Sequence, residues 1–325
     1  MQWPRRQFLR LAASTAALPA MPRIARAQAY PSRPVRIIVT FPPGGANDIH
    51  ARLMGQVLSE QLSQPFVVEN RPGASGNIGM EAAVRSPPDG YTLVFLSVTM
   101  AINASTYEKL NYDLARDIAP VAALYQSLYV MLVTPSLPAK TVPEFIAYAK
   151  QNPGKIAFGS NGVGATGHLA GEMFKMMTGV NMLHVPYRGE APAQTDLIAG
   201  QIQVMFATIS SAAEFVRNGQ LRALAVTTAE RSRALPDVPS IGDSVPGYEI
   251  STWAGIGAPR NTPAAIVTKL NQEINAGQES PRIKTKYEDL GLNMLGGSPA
   301  EFGKLIADDI EKWRKVVRFA GVKLG

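Results

Sequence analysis

The chain of 325 residues contains no cysteine and only three histidines, His50, His168 and His184. Without cysteine there is no thiolate nucleophile, no cysteine-held zinc or iron–sulfur cluster and no disulfide, and three scattered imidazoles leave little room for metal chemistry. The formal charge of +7 looks suited to nucleic acid, but residues 1–27 hold five arginines and no acid. Residues 28–325 therefore carry 27 basic against 25 acidic groups, no bias that a phosphate backbone would attract. No stretch reaches the roughly 20 apolar residues that span a bilayer. No Gly- or Ser-rich linker divides the chain, and no internal repeat or low-complexity tract is present. H-E-x-x-H is absent, and in Gly73-Ala74-Ser75-Gly76 the second glycine falls one position too close for a nucleophile elbow. What is there is an ordinary globular composition, 46% hydrophobic and 18% charged. At about 150 residues per domain the length suggests two domains.

Met1–Ala27 reads as an export signal, with a basic start, an apolar stretch from Leu11 to Met21 and Ala25-Arg26-Ala27 as an A-x-A cleavage site before Gln28. Arg5-Arg6 within Pro4–Arg10 resembles the twin-arginine signal, general secretion being the other route. The mature chain is thereby expected outside the cytoplasmic membrane.

Beyond Pro31–Pro34, short β-branched runs alternate with helical patterns, the signature of a parallel-sheet α/β architecture. The runs predict strands at Val35–Thr40, Phe66–Glu69, Thr92–Leu96, Leu128–Thr134, Lys155–Phe158, Met182–Val185, Gln203–Phe206, Arg222–Thr227, Ser251–Gly257 and Asn293–Leu295. The first helix puts Ile49, Leu53, Met54, Val57, Leu58 and Leu62 on one stripe over a sheet, leaving His50 on the solvent side. Thr141-Val-Pro-Glu144 and Ser298-Pro-Ala-Glu301 have capping-box spacing and start helices. From Ser298 the set Phe302, Leu305, Ile306, Ile310, Trp313, Val316, Val317 and Ala320 predicts a closing helix that covers a sheet face. With no linker, the chain should cross between two domains through strands, near Leu128–Thr134 and Ile250–Trp253.

Phe41-Pro-Pro-Gly-Gly-Ala-Asn-Asp48 lies between a strand and a helix. Paired glycines let N–H groups face one point, and a helix start adds unpaired donors and partial positive charge, so this corner suits an anion; it equally suits a tight turn capped by Asn47 or Asp48. A second corner, Gly159–Gly167, contains Gly162, Gly164 and Gly167 in the dinucleotide pattern G-x-G-x-x-G. The acidic residue that would hold a ribose is missing at the next strand end, where Arg188 stands instead, suited to a carboxylate through its planar fork. Ser97-Val-Thr99 and Thr208-Ile-Ser-Ser211 put hydroxyls at two more strand ends, free to meet an anion or to cap a helix. All of these lie at carboxyl ends of strands, where α/β sheets place ligands. His168 either lines that cleft or packs against the sheet, and Arg71–Gly76 reads as a plain loop.

Taken in order, Val68-Glu-Asn-Arg-Pro-Gly-Ala-Ser-Gly-Asn-Ile-Gly79, Pro88-Asp-Gly-Tyr-Thr-Leu93, His184-Val-Pro-Tyr-Arg-Gly189, Leu221-Arg-Ala-Leu-Ala-Val-Thr227 and Leu235-Pro-Asp-Val-Pro239 resemble the substrate-binding receptors of tripartite tricarboxylate transporters, the TctC or Bug-type periplasmic receptors, along the whole mature chain. The resemblance implies a two-lobed, type II periplasmic-binding-protein α/β fold, each lobe a sheet flanked by helices and the two joined by hinge strands. Lobe 1 would comprise 28–129 plus 253–325 and lobe 2 residues 130–252. It further implies a periplasmic monomer that closes on a small carboxylate (a di- or tricarboxylate, acidic amino acid or aromatic acid) and delivers it to a membrane permease, with no catalysis, cofactor, metal or nucleic acid. The residues carried over as ligand-binding are Gly44, Gly45, Ala46, Asn47 and Asp48, Ser97 and Thr99 beside them, then Ser160, Ala165, Thr166 and His168 across the cleft, with Arg188 and Thr208. A sensing partner of a membrane kinase and a dinucleotide-dependent exported enzyme are the competing functions.

Overall fold

The computed structural model describes residues 30–44, 46–289 and 291–324. The leader and Gly45 lie outside the described residues. The fold below is that of the compact unit Arg33–Gly325.

All ten expected strands are present. β1 (Val35–Val39) leads into α1 (Ala46–Leu62), β2 (Phe66–Asn70), α2 (Asn77–Val84), β3 (Thr92–Ser97), α3 (Val98–Thr106), α4 (Leu114–Asp117) and the long β4 (Ile118–Val133). The chain continues through α5 (Val142–Gln151), β5 (Ile156–Ser160), α6 (Thr166–Thr178), β6 (Met182–Pro186), α7 (Glu190–Ile198), β7 (Val204–Thr208), α8 (Ile209–Arg217) and β8 (Arg222–Val226). It returns in β9 (Ser251–Pro259), α9 (Ala264–Gln278), α10 (Pro281–Asp289), β10 (Asn293–Gly296) and α11 (Pro299–Ala320).

The sheet is mixed rather than parallel. Its order is β2-β1-β3-β9-β4-β7-β5-β6, with β10 and β8 also on β4. The β1–β2, β1–β3, β5–β6 and β5–β7 pairs are parallel, as the β–α alternation predicts, but every pairing of β4 and β9 is antiparallel. β4 begins ten residues earlier than expected. Pro120 masks that stretch, since a proline cannot donate to a ladder, and it is accommodated at a register shift between Pro120 and Ala122. β4 then changes partners in mid-course: Ile118–Leu128 lie against β9, whereas Tyr129–Val133 lie against β7. At that point Thr227 Oγ1 accepts the Tyr129 N–H (2.9 Å) and donates toward the Ile250 carbonyl (2.6 Å), tying the two central segments together.

The helices bury the faces their sequences prescribe, with one rotation. In α1 the buried set is Asp48, His50, Ala51, Met54, Gly55, Val57 and Leu58, while Ile49 is 47% exposed. A single sheet beneath the helix would have selected the expected stripe, but α1 has two neighbours. Gly55 approaches the Phe66 carbonyl so closely that a Cβ would stand 3.2 Å from it, and Val57 fills the space over Gly277 of α9. His50 is consequently buried, not solvent-exposed, with its ring 4.4 Å from that of Tyr125 and 5.3 Å from that of Tyr287. α11 starts at the Ser298–Glu301 capping box and buries Phe302, Ile306, Ile310, Trp313, Val316 and Val317 against α3, α6 and β4. A buried hydrogen bond from Trp253 Nε1 to Asp309 (2.7 Å) fixes it to β9. Among the described residues no helix is long and apolar enough to cross a membrane.

Candidate functional site

A cavity of about 330 Å³ opens where the β1, β3 and β5 ends face one another across β4 and β9. Its wall takes Phe41 and Asn47 from the first corner, Ser97, Val98 and Thr99 from the β3–α3 junction, and Asn161, Gly164, Ala165 and Thr166 from the second corner. Tyr129 of β4 and Thr252 of β9 form its floor. None of these described wall residues carries a charged side chain.

Three helices start at this wall. Asn47 is in the first turn of α1, Ser97 is the N-cap of α3 and Ala165 the N-cap of α6. Neither Ser97 nor Ala165 makes a side-chain capping bond, and neither α3 nor α6 has an acidic residue in its first turn. First-turn N–H groups have no intrahelical partner and carry the positive end of the helix dipole. A carboxylate in the cavity would meet the donors that a capping Asp or Glu ordinarily meets.

The corners are held from behind. Asp48 is buried and accepts from the Gly44 N–H (2.9 Å), Arg52 Nε (3.0 Å) and Asn70 Nδ2 (2.9 Å). Burial alone would raise this carboxyl, but the hydrogen bonds from Arg52, Gly44 and Asn70 outweigh it and hold the pKa down at about 2. With those partners engaged, Asp48 shapes the loop and does not present itself to a ligand ammonium group. In the second corner Ser160 bonds His184 Nε2 (2.7 Å) and accepts the Gly162 N–H (3.2 Å). His168 Nδ1 accepts the Gly164 N–H (3.0 Å), which requires the neutral Nε2–H tautomer. The two imidazoles stack with centroids 3.7 Å apart. Burial, then the neighbouring His184 and Lys175, push the His168 pKa down to about 3; burial and Lys175 push His184 to about 4. Glu172, 3.8 Å from His168 Nε2, would favour an imidazolium, but it is already paired with Lys175 at 2.8 Å.

Of the residues expected to bind a ligand, Asn47, Ser97, Thr99, Ala165 and Thr166 line the cavity. Gly44 and Ala46 lie in its first corner without forming wall, while Asp48, Ser160 and His168 are buried behind it. His168 thus packs against the sheet side rather than lining the cleft. Arg188 is exposed and outside the wall. Thr208 is outside it as well, because Glu190 engages its N–H (3.3 Å) and hydroxyl (2.8 Å). The sequence reading missed Phe41 and Asn161, inside corners already singled out, and Tyr129 and Thr252, on the crossing strands. It also missed Ser75 and Asn103, and Leu324, which no motif marks. Asn161 Oδ1 is buried with no protein partner, close to Gly167.

The α/β fold with its uncharged cleft at the strand ends matches the class of periplasmic binding proteins, being similar to the structure of periplasmic binding protein BugD at 31% identity and TM-score 0.72, over 90% of this chain and 99% of that one. Residues 50–322 match the family described as tripartite tricarboxylate transporter family receptor, and the chain belongs to that family. It is 35% identical to Protein BugT of Bordetella pertussis, over 92% of each chain. Among solved structures it is similar to R. palustris Rpa4515 with adipate, at 38% identity and TM-score 0.75, covering 90% of this chain and 99% of that one. MatC of Rhodopseudomonas palustris, with bound malate, is 29% identical with TM-score 0.72, covering 89% and 100%.

Proposed function

We propose that this chain is a periplasmic receptor that captures a small carboxylate between two lobes, 28–129 plus 253–325 and 130–252, and delivers it as a monomer to the permease of a tripartite transporter. A twin-arginine leader in residues 1–27 carries it across the membrane. The observation that carries this reading is the convergence of three helix N-termini on one cavity whose described wall has no charged side chain. Neutral donors hold a carboxylate without a counter-charge. Adipate and malate in similar proteins point the same way. A ligand touching both sides favours the closed form by its differential affinity, so hinge rotation at β4 and β9 follows from binding.

The test is a thermal-shift screen against mono-, di- and tricarboxylates, acidic amino acids and dinucleotides after stripping any bound ligand. A ligand at 100 times its dissociation constant should stabilise the protein by about 2.7 kcal/mol. A response to NAD alone, with none to any carboxylate, would sink the receptor reading and restore the Gly162–Gly167 fingerprint as a cofactor site.

A further inference from the structure

The loop before α2 holds an unusual run of backbone. Gly73, Ala74, Ser75 and Gly76 have φ values of 128°, 47°, 53° and 94°, four successive residues in left-handed space. The glycines suit the conformation: a Cβ at Gly73 or Gly76 would be strained by its positive φ, although the nearest atoms, Ile78 Cδ1 at 2.5 Å and Met100 Cε at 2.7 Å, are side-chain ends that can shift. Ala74 and Ser75 have no such excuse, since a side chain is disfavoured at positive φ and glycine would relieve it. Strain of this kind persists only where the surroundings enforce it, and it concentrates at ligand sites. The enforcement here is Asn103, 1% exposed, whose Nδ2 donates to the Ser75 carbonyl (2.9 Å) and to Asn77 Oδ1 (2.9 Å). Tyr112 steadies Asn77 with a 2.7 Å bond.

The conformation places Ser75 in the cavity wall, beside the α3 N-terminus. Its hydroxyl accepts from the Tyr107 hydroxyl at 3.2 Å. A serine that accepts from a tyrosine keeps its own proton to give, and the incoming bond polarises that O–H. We propose that Ser75 is a ligand contact and a specificity-determining residue: its hydroxyl donates to an oxygen of the bound carboxylate, with Tyr107 and Asn103 as positioning residues. This rests on the carboxylate-receptor reading above.

The experiment is calorimetric titration of the wild-type protein, Ser75→Ala and Ser75→Gly with adipate and with malate, alongside thermal melts of each. Ser75→Gly removes both the strain and the hydroxyl, so it should melt higher than wild type and bind the better probe about tenfold more weakly. Ser75→Ala keeps the strained conformation, so it should melt near wild type and bind as weakly as Ser75→Gly. A merely structural serine would change the melts and leave affinity alone, and a loss under threefold in both variants overturns the proposal while the receptor reading stands. Wild-type protein that binds neither these nor any other carboxylate overturns both.

Discussion

The three histidines make stability steeply dependent on pH below about 6.5. Burial, with help from nearby cations, holds the pKa of His50 at about 4, of His168 at about 3 and of His184 at about 4, against an ordinary value of 6.5. Because these pKa values are depressed on folding, the unfolded chain takes up protons that the folded chain refuses. Stability is therefore complete above the unfolded pKa and is lost as pH falls from about 6.5 toward about 4. At pH 5 each imidazole lies roughly 1.5 units below its unfolded pKa and costs about 2 kcal/mol, at about 1.4 kcal/mol per unit. Three such groups give about 5 kcal/mol, the half-buried His184 counting for less, which is comparable with the whole stability of many domains. Urea unfolding at pH 5, 6, 7 and 8, with the m-value constant, should show a plateau at the top and a slope of about 3 to 4 kcal/mol per unit below pH 6. His50, whose buried Nδ1 has no partner, should yield about a third of that slope when replaced by phenylalanine. A wild-type slope below about 1 kcal/mol per unit, less than one imidazole, would refute the reasoning.

Asp48→Asn leaves the Arg52 guanidinium without its carboxylate and loosens the first corner, so calorimetry should find binding of every carboxylate weakened about tenfold without a change in ligand ranking, an effect of about 1.4 kcal/mol. Glu190→Gln removes the acceptor that serves Thr208 and Ser211; it should lower unfolding free energy by about 1 to 2 kcal/mol in urea melts yet leave carboxylate affinity unchanged, because these residues lie outside the cavity. Leu324, whose N–H is fixed to the Thr106 carbonyl at 2.9 Å while its side chain lies over Gly164, supplies apolar wall. Truncating it to alanine should weaken adipate about tenfold and malate less, since only the longer methylene chain has apolar area to lose at roughly 25 cal/mol per Å².

Much of this was legible in the sequence, and the failures have physical causes. Short apolar runs between turn residues marked all ten strands, most of them β-branched and buried, because such a strand needs little beyond its own side chains to declare itself. The parallel order was wrong at the centre: alternation with helices says nothing of a strand like β9, which enters from a long irregular stretch and pairs antiparallel with both neighbours. Residues at helix starts that line the cavity, such as Asn47, Ser97 and Thr166, stand out in the sequence because their chemistry is carried by local backbone. Tyr129, Thr252 and Leu324 were not, since a floor or wall residue is defined by what lies across from it. The same holds for His168 and Asp48, whose residue types suggested contact with a ligand, whereas the fold uses their hydrogen bonds to hold loops. Ser75 was hidden for a different reason. A Gly-Ala-Ser-Gly string reads as an ordinary turn, and only φ reveals that two of its side chains are there against preference.

In the proposed closure, the change of partners within β4 would act as a crease. On one side its backbone bonds belong to β9 and on the other to β7, so a rotation between Leu128 and Tyr129 breaks neither ladder. Thr227, bonded to both Tyr129 and Ile250, is the pin at the fold line. Displacement in such a device grows with distance from the pin, as on a lever. In the proposed closure the cavity floor at Tyr129 would stay nearly still while the outer ends of the helices swept the longest arc. A small adjustment around a bound molecule would thereby become a large movement at the surface offered to the proposed membrane partner.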